Sequence, residues 1–292
     1  MKHKIITFGE LMLRLSPDNN ERFTQAHSYE AVYGGGEANT AVSLANFNVD
    51  TRYVTKLPKH TIGQSAVNSL RQYGVDVSRI VRGGDQIGIY FLEKKTSQRP
   101  TNVIYNRNGS AFALATKEDF DWDSIFDGAT WFHFSGITPA ISDNMAEITI
   151  EACKEAKKRG ITVSCDLNYR SKLWSSEKAN KVMSEVCRYV DICIANEDDA
   201  VGIFGMDASK SDKEKNAYIA EELTKMFPNF KMVASVWRTE TSITTFKLQS
   251  MIYTEGKAYY SQEFFMNILD YIGAGDALSL IHISEPTRLA LI

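Results

Sequence analysis

The chain of 292 residues is 43% hydrophobic and 24% charged, which gives a soluble globular protein with a sizeable core and excludes collagen-like, low-complexity and wholly disordered chains. Its 33 basic against 36 acidic residues leave a net charge of −3; with no long basic stretch, a nucleic-acid partner has no electrostatic support. The N-terminus lacks the apolar run of a signal peptide, no later segment reads as a bilayer span, and Cys153, Cys165, Cys187 and Cys193 form no CxxC pair, so the expectation is a cytoplasmic protein with reduced thiols and no membrane contact.

Residues 4–7 form a short apolar run ended by Gly9, as a buried first strand does. Residues 11–15 alternate around Arg14, which predicts a second strand with one solvated face, ended by Pro17. A helix is expected over 37–47, directly after three glycines, then a strand over 51–57 and a helix over 61–73 closed by Gly74. Residues 87–94 and 101–105 alternate like a hairpin, with no amphipathic helix between them. Strands over 130–134, 161–167, 191–195 and 231–236 then alternate with helices over 142–159, 177–189 and 213–226. This order predicts an α/β fold with a mostly parallel sheet covered on both sides. The hairpin-like interruptions read as an accessory β element. No linker or internal repeat divides the chain, so one domain is expected over 1–277, with a β lid from about 11–33 and 86–113.

In such sheets ligands sit beyond the carboxyl ends of the strands, and several unusual residue groups fall there. Asp270, Tyr271 and Ile272 lead into Gly273, Ala274, Gly275 and Asp276. Small residues let successive N–H groups form a nest that attracts an anion, a transferring phosphoryl group being the natural occupant. Asp276 is placed to accept the proton of an attacking hydroxyl. Taken alone, the same string is an ordinary glycine-rich turn with a capping Asp. Gly34, Gly35, Gly36, Glu37, Ala38 and Asn39 form a second glycine turn entering a helix. It either cradles a polyhydroxylated ligand or is a flexible capping loop.

Asp166, Leu167, Asn168, Tyr169 and Arg170 end a strand, and Arg170 has the fork for a carboxylate or phosphate, or for a strand-end salt bridge. Asn196, Glu197, Asp198 and Asp199 supply carboxylates for magnesium-bound water or for helix capping. Tyr90, Tyr105 and Arg107 on the hairpin could close over a sugar acid, hydroxyls to hydroxyls and guanidinium to carboxylate. His133 in an apolar strand reads as a satisfied core residue, and Trp131, Trp174 and Trp237 as packing anchors.

The order GGGEAN, DLNYR, NEDD and GAGD resembles the ribokinase-like (phosphofructokinase B type) sugar kinases up to Ala277. Phe8 to Pro17, Val103 to Arg107 and Asp166 to Arg170 continuing to Trp174 are similar to the 2-keto-3-deoxygluconate kinases within that family. The resemblance implies a three-layer αβα sandwich with a small β lid, and ATP-dependent phosphorylation of the acid to its 6-phosphate. It makes Asp276 the catalytic base and Gly273, Ala274 and Gly275 the anion hole. Gly34, Gly35, Gly36, Glu37, Ala38 and Asn39 would cradle the substrate, with Asp276 at its reacting end. Tyr90, Tyr105, Arg107 and Arg170 would grip its hydroxyls and carboxylate. Asn168, Arg170, Asn196, Ser235, Arg238, Gly273 and Gly275 would contact ATP, Asp199 would hold Mg²⁺ through water, and the lid would join copies into a homo-oligomer. Two other readings stay open: a kinase for a neutral sugar such as fructose, which offers Arg107 and Arg170 no carboxylate, and an inactive sugar-binding protein.

The sequence departs from the family pattern at three places. The N-x-x-E element appears as Asn196…Asp199, with a shorter carboxylate. The glycine-containing nucleotide turn is replaced by Ser235-Val236-Trp237-Arg238-Thr239-Glu240. After Asp276 the long small-residue helix of the family is missing, and Pro286 would break a helix begun at Gly275 after about three turns. Leu278 to Arg288 resembles the translated end of a sequencing adapter. The expectation is that 278–292 is a non-native tail and that the chain as written binds ATP poorly.

Overall fold

The computed structural model describes residues 3–96, 99–207, 215–240, 242 and 245–267. The glycine turn with Gly273, Ala274, Gly275 and Asp276, the boundary at 277 and the segment 278–292 lie outside the described residues.

The first strand, β1 (Lys4–Phe8), is buried on both faces and flanked in parallel by β4 (Asp50–Val54) and β9 (Trp131–Ser135). Continuous apolar runs are what a strand inside a doubly covered parallel sheet requires. Beyond β9 the parallel order continues through β10 (Thr162–Asp166), β11 (Ile192–Ile194) and β12 (Met232–Glu240). Then β13 (Thr245–Thr254) runs antiparallel on β12, and β14 (Lys257–Tyr260) and β15 (Phe264–Asn267) pair with β13.

A separate four-stranded sheet forms the lid: β2 (Met12–Pro17), β3 (Tyr29–Gly34), β7 (Ile89–Glu93) and β8 (Asn102–Asn106), in the order β3-β2-β7-β8. A two-stranded pair, β5 (Lys56–Leu57) with β6 (Val81–Arg82), completes the strands. The α-helices are α1 (Gly36–Asn46), α2 (Thr61–Arg71), α3 (Trp122–Ile125), α4 (Ile137–Ala140), α5 (Asp143–Lys158), α6 (Ser176–Cys187), α7 (Glu197–Phe204) and α8 (Lys215–Met226).

The strand order decides the layering. From β1 the chain crosses through α1 to β4 on one side, whereas β9, β10, β11 and β12 step away on the other. Right-handed crossovers taken in opposite directions put their helices on opposite faces. Accordingly Ile5 packs with Leu44 of α1, while Ile6 and Phe8 join the core beneath α5. That core is rich in rings: Phe8 meets Phe112, Phe120 and Trp122 edge-on at 5.2–5.5 Å between centroids, each pair worth about 0.5–1.5 kcal/mol beyond area burial. α5 shows how the sequence sets a helix: Ser142 caps Met145 N at 3.2 Å, Lys157 and Lys158 sit at the negative end, and Gly160 closes it at φ +70°. A second core, with Leu11, Ala41, Tyr53 and Leu70, fastens α1 and α2 to Leu13, Tyr33 and Ile89, which share one face of the lid.

The expected strand over 51–57 is two elements, since β4 stops at Val54 and β5 pairs elsewhere. The strand expected to end at 236 runs on to Glu240, because the partner strand β13, which the sequence pattern does not reveal, continues its ladder. All four cysteines are buried and unpaired, and no helix among the described residues is long and apolar enough to cross a membrane.

Candidate active site

The reversal of strand order opens a crevice between the carboxyl ends of β1 and β9, the place where open α/β sheets bind ligands. The glycine turn expected to cradle a ligand enters α1 at this point. Gly35 caps α1 in an extended conformation, and a methyl group there would run into the carbonyl oxygen of Glu10. Only glycine permits that approach. The Glu37 side chain plugs the gap between the two strands. Its Oε1 accepts from Ser135 N (2.9 Å), Ser135 Oγ (2.6 Å) and Thr138 Oγ1 (3.0 Å), and its other edge fills the space a Gly9 methyl would need. Burial raises its pKa against the pull of these donors. The carboxylate of Glu37 therefore braces the cradle from below instead of presenting oxygens to a sugar.

The lid is clamped to the same spot. Glu10, the second residue after β1, accepts from Arg107 Nε at 2.7 Å, from Arg107 Nη2, and from Ser110 Oγ at 2.5 Å. Both partners of this ion pair are almost wholly buried. Among the described residues Arg107 Nη1 carries no hydrogen bond, and the guanidinium lies 5.8 Å from the centre of the Tyr105 ring. Tyr105 pairs across β8 and β7 with Tyr90, their rings 5.8 Å apart. The Tyr90 hydroxyl and Asn39 Oδ1 each lie 3.7 Å from the position a Gly34 Cβ would take. Gly34, Asn39, Tyr90, Tyr105 and Arg107 are thus brought together where lid meets cradle.

The groups assigned to the nucleotide stand along the neighbouring strand ends. Asn168, two residues beyond β10, holds φ +38°, a left-handed conformation that Asn tolerates. Tyr169 N donates to Asp199 Oδ1 at 2.7 Å, and Arg170 is exposed, with Nη1 donating to Tyr169 O at 3.0 Å. Asn196 caps α7 by accepting from Asp199 N at 2.9 Å, while Asp199 Oδ2 accepts from Asn196 N at 3.0 Å. Burial raises the Asp199 pKa, opposed by these two amides and by Arg170. Both Asp199 oxygens thus serve backbone N–H groups. Among the described residues no group of three or more His, Cys, Asp or Glu side chains that could hold a metal ion exists.

Ser235 is buried with Oγ donating to Ala195 O at 2.6 Å, so its hydroxyl fastens β12 to the end of β11. Arg238 is exposed on the antiparallel ribbon, 5.7 Å from the Phe246 ring centre. His133 is a core residue, as its surroundings in the sequence suggest: Nδ1 meets Ser164 Oγ at 2.9 Å and burial pushes its pKa down to about 4. Sequence reasoning missed Glu10, Ser110, Ser135 and Thr138. Glu10 carried a usable signal, a carboxylate directly beyond the first buried strand.

A doubly wound sheet, a glycine-opened helix at its switch point and a β sheet set over that helix define the class, an α/β fold with its crevice at the strand ends. The sequence profile of the pfkB family carbohydrate kinases matches residues 2–279, and the chain belongs to that family. It is 34% identical over 299 residues to the 2-dehydro-3-deoxygalactonokinase of Haloferax volcanii, covering 100% of this chain and 88% of that one. It is 26% identical over 279 residues to the 2-dehydro-3-deoxygluconokinase of Thermoproteus tenax, covering 94% and 79% of the two. The crystal structure of a 2-dehydro-3-deoxygluconokinase from Thermotoga maritima matches with a TM-score of 0.94 at 45% identity, covering 98% of this chain and 87% of that one.

Proposed function

We propose that this carbohydrate kinase transfers the γ-phosphoryl group of ATP to the primary 6-hydroxyl of 2-keto-3-deoxygluconate or its galacto epimer. The observation that carries the reading is the convergence of Gly34, Asn39, Tyr90, Tyr105 and Arg107 beneath the lid, in a chain 45% identical to a kinase named for that acid.

In this reading the amides of Gly34, Gly35, Gly36 and Ala38 and the side chain of Asn39 hold the sugar, with Glu37 keeping the turn in place. Tyr90 and Tyr105 bond its hydroxyls. Arg107 Nη1 and Arg170 take the carboxylate. Bound ATP supplies the phosphoryl group, and Asn168, Arg170, Asn196 and Arg238, with the backbone at Ser235, line its approach. The 6-hydroxyl oxygen forms the new P–O bond as the bond to ADP breaks, and its proton passes to Asp276. The amides of Gly273, Ala274 and Gly275 stabilise the charge that develops on the transferred group. Most of the acceleration comes from positioning and from water exclusion by the lid. No step is assigned to Mg²⁺. We place the enzyme in the cytoplasm and assign the lid as the contact between copies.

One observation favours a second reading, a kinase for a neutral sugar such as fructose: the Arg107 charge is already balanced by Glu10. An ADP-release assay on the purified protein with 2-keto-3-deoxygluconate, its galacto epimer, fructose and ribose separates the two. Turnover of the acids alone is expected. Turnover of fructose or ribose in preference to both acids overturns the proposal.

A further inference from the structure

We propose that Arg14 is a specificity-determining residue that binds the substrate's carboxylate from the lid; the inference rests on the sugar-acid reading and deepens it. Register pairing sets Val32, Arg14, Tyr90 and Tyr105 in one row across β3, β2, β7 and β8. Residues paired in this way share one face of a sheet. Gly34, paired with Met12 two positions before Arg14, lies on the same face, and the Tyr90 hydroxyl marks that face as the one turned to Asn39 and the cradle.

On this face Arg14 is only 8% exposed and its Nε has no hydrogen-bond partner. Its ion-pair partner is Glu30, reached by Nη2 only at 3.9 Å; that carboxylate is half-exposed and shared with Lys94 at 3.6 Å. Arg107, by contrast, is neutralised at close range by the buried Glu10. A desolvated guanidinium with one long contact is unfavourable until an anion reaches it. A planar carboxylate matches its fork of donors, and a neutral sugar does not. Arg14 is therefore open to an acid from the lid, beside Arg107 Nη1 and Arg170.

The test compares R14M, R14K and E30Q with wild type, using 2-keto-3-deoxygluconate and 3-deoxyfructose, which replaces the carboxylate by a hydroxymethyl group. KM and kcat are measured for both, the acid's Kd by calorimetry without ATP, and the melting temperature of each variant. R14M is expected to raise KM and Kd for the acid about tenfold to a hundredfold, with kcat and the KM for 3-deoxyfructose within about twofold of wild type. E30Q is expected to leave all of these within about twofold. The assignment is overturned by an unchanged KM in R14M, by equal rises for both sugars, or by E30Q reproducing the R14M effect. Should R14M not fold, R14K decides: a raised KM for the acid at an unchanged melting temperature supports the role, and an unchanged KM overturns it. A wild-type protein that turns over and binds no sugar acid overturns the functional reading together with this one, whereas an active wild type with an indifferent R14M overturns this one alone.

Discussion

Glu37, in the first turn of α1, accepts hydrogen bonds from both the backbone and the hydroxyl of Ser135 at the end of β9, at 2.9 and 2.6 Å. One buried carboxylate thus ties the cradle to a strand on the far side of the switch point. In E37A, Ser135 N and Ser135 Oγ lose their acceptor and Thr138 Oγ1 keeps only the Phe8 carbonyl at 3.3 Å, and a loss of about 3 kcal/mol is expected. E37Q keeps an acceptor in place and is expected to lose under about 1 kcal/mol. Urea denaturation of the two variants checks this; equal losses would mean that the carboxylate is not a brace.

The adjacent glycines are expected to behave differently. A methyl group at Gly35 meets the Glu10 backbone, whereas one at Gly34 makes ordinary contact at 3.7 Å with Asn39 and Tyr90. G35A is expected to destabilise by about 2–3 kcal/mol. G34A is expected to keep the melting temperature while raising the sugar KM, because its methyl group enters the space between Asn39 and Tyr90. Thermal melts and steady-state kinetics on the pair check both halves.

Removing the Arg107 guanidinium leaves Glu10 buried without its counter-charge. R107M is expected to destabilise by about 3–5 kcal/mol, and the double variant E10Q/R107M to recover most of it. R107M is also expected to raise the KM for the sugar acid substantially. A KM unchanged in a folded R107M removes that side chain from the substrate site and leaves it as the lid's clamp.

Burial holds the His133 pKa at about 4 instead of 6.5. The folded state therefore keeps the imidazole neutral while the unfolded chain protonates it. Its contribution is fully present above about pH 6.5 and is lost as pH falls toward 4, amounting to about 3 kcal/mol. The difference in unfolding free energy between wild type and H133F, followed from pH 7.5 to 4, is expected to shrink or invert by that amount. A difference independent of pH would show that the imidazole is not buried neutral.

The parallel strands were legible because strands covered on both faces are short runs of apolar, β-branched and small residues with few charges, as at β1 and β10, and α5 because its cap, basic end and glycine stop are all local signals. The ribbon of β13 to β15 was not, since half-exposed strands carry weak alternation and owe their shape to pairing. In the site, Gly34, Asn39, Tyr90 and Tyr105 were found as strings, and the fold brings them together. The use of Glu37 and Ser235 as braces was not legible, and the helix-capping role of Asp199 was one of two readings the sequence left open. A carboxylate or hydroxyl near a strand end looks the same in sequence whether it meets a ligand or a backbone amide.

The most direct measurement on the sugar-acid kinase assignment is the ³¹P and ¹³C NMR spectrum of the product formed from ATP and 2-keto-3-deoxygluconate, recorded for wild type and D276N. The expected product carries phosphate on C6, and D276N is expected to form it at least about a hundredfold more slowly at a similar KM. Phosphate at another carbon, free inorganic phosphate alone, or undiminished turnover by D276N would contradict the assignment.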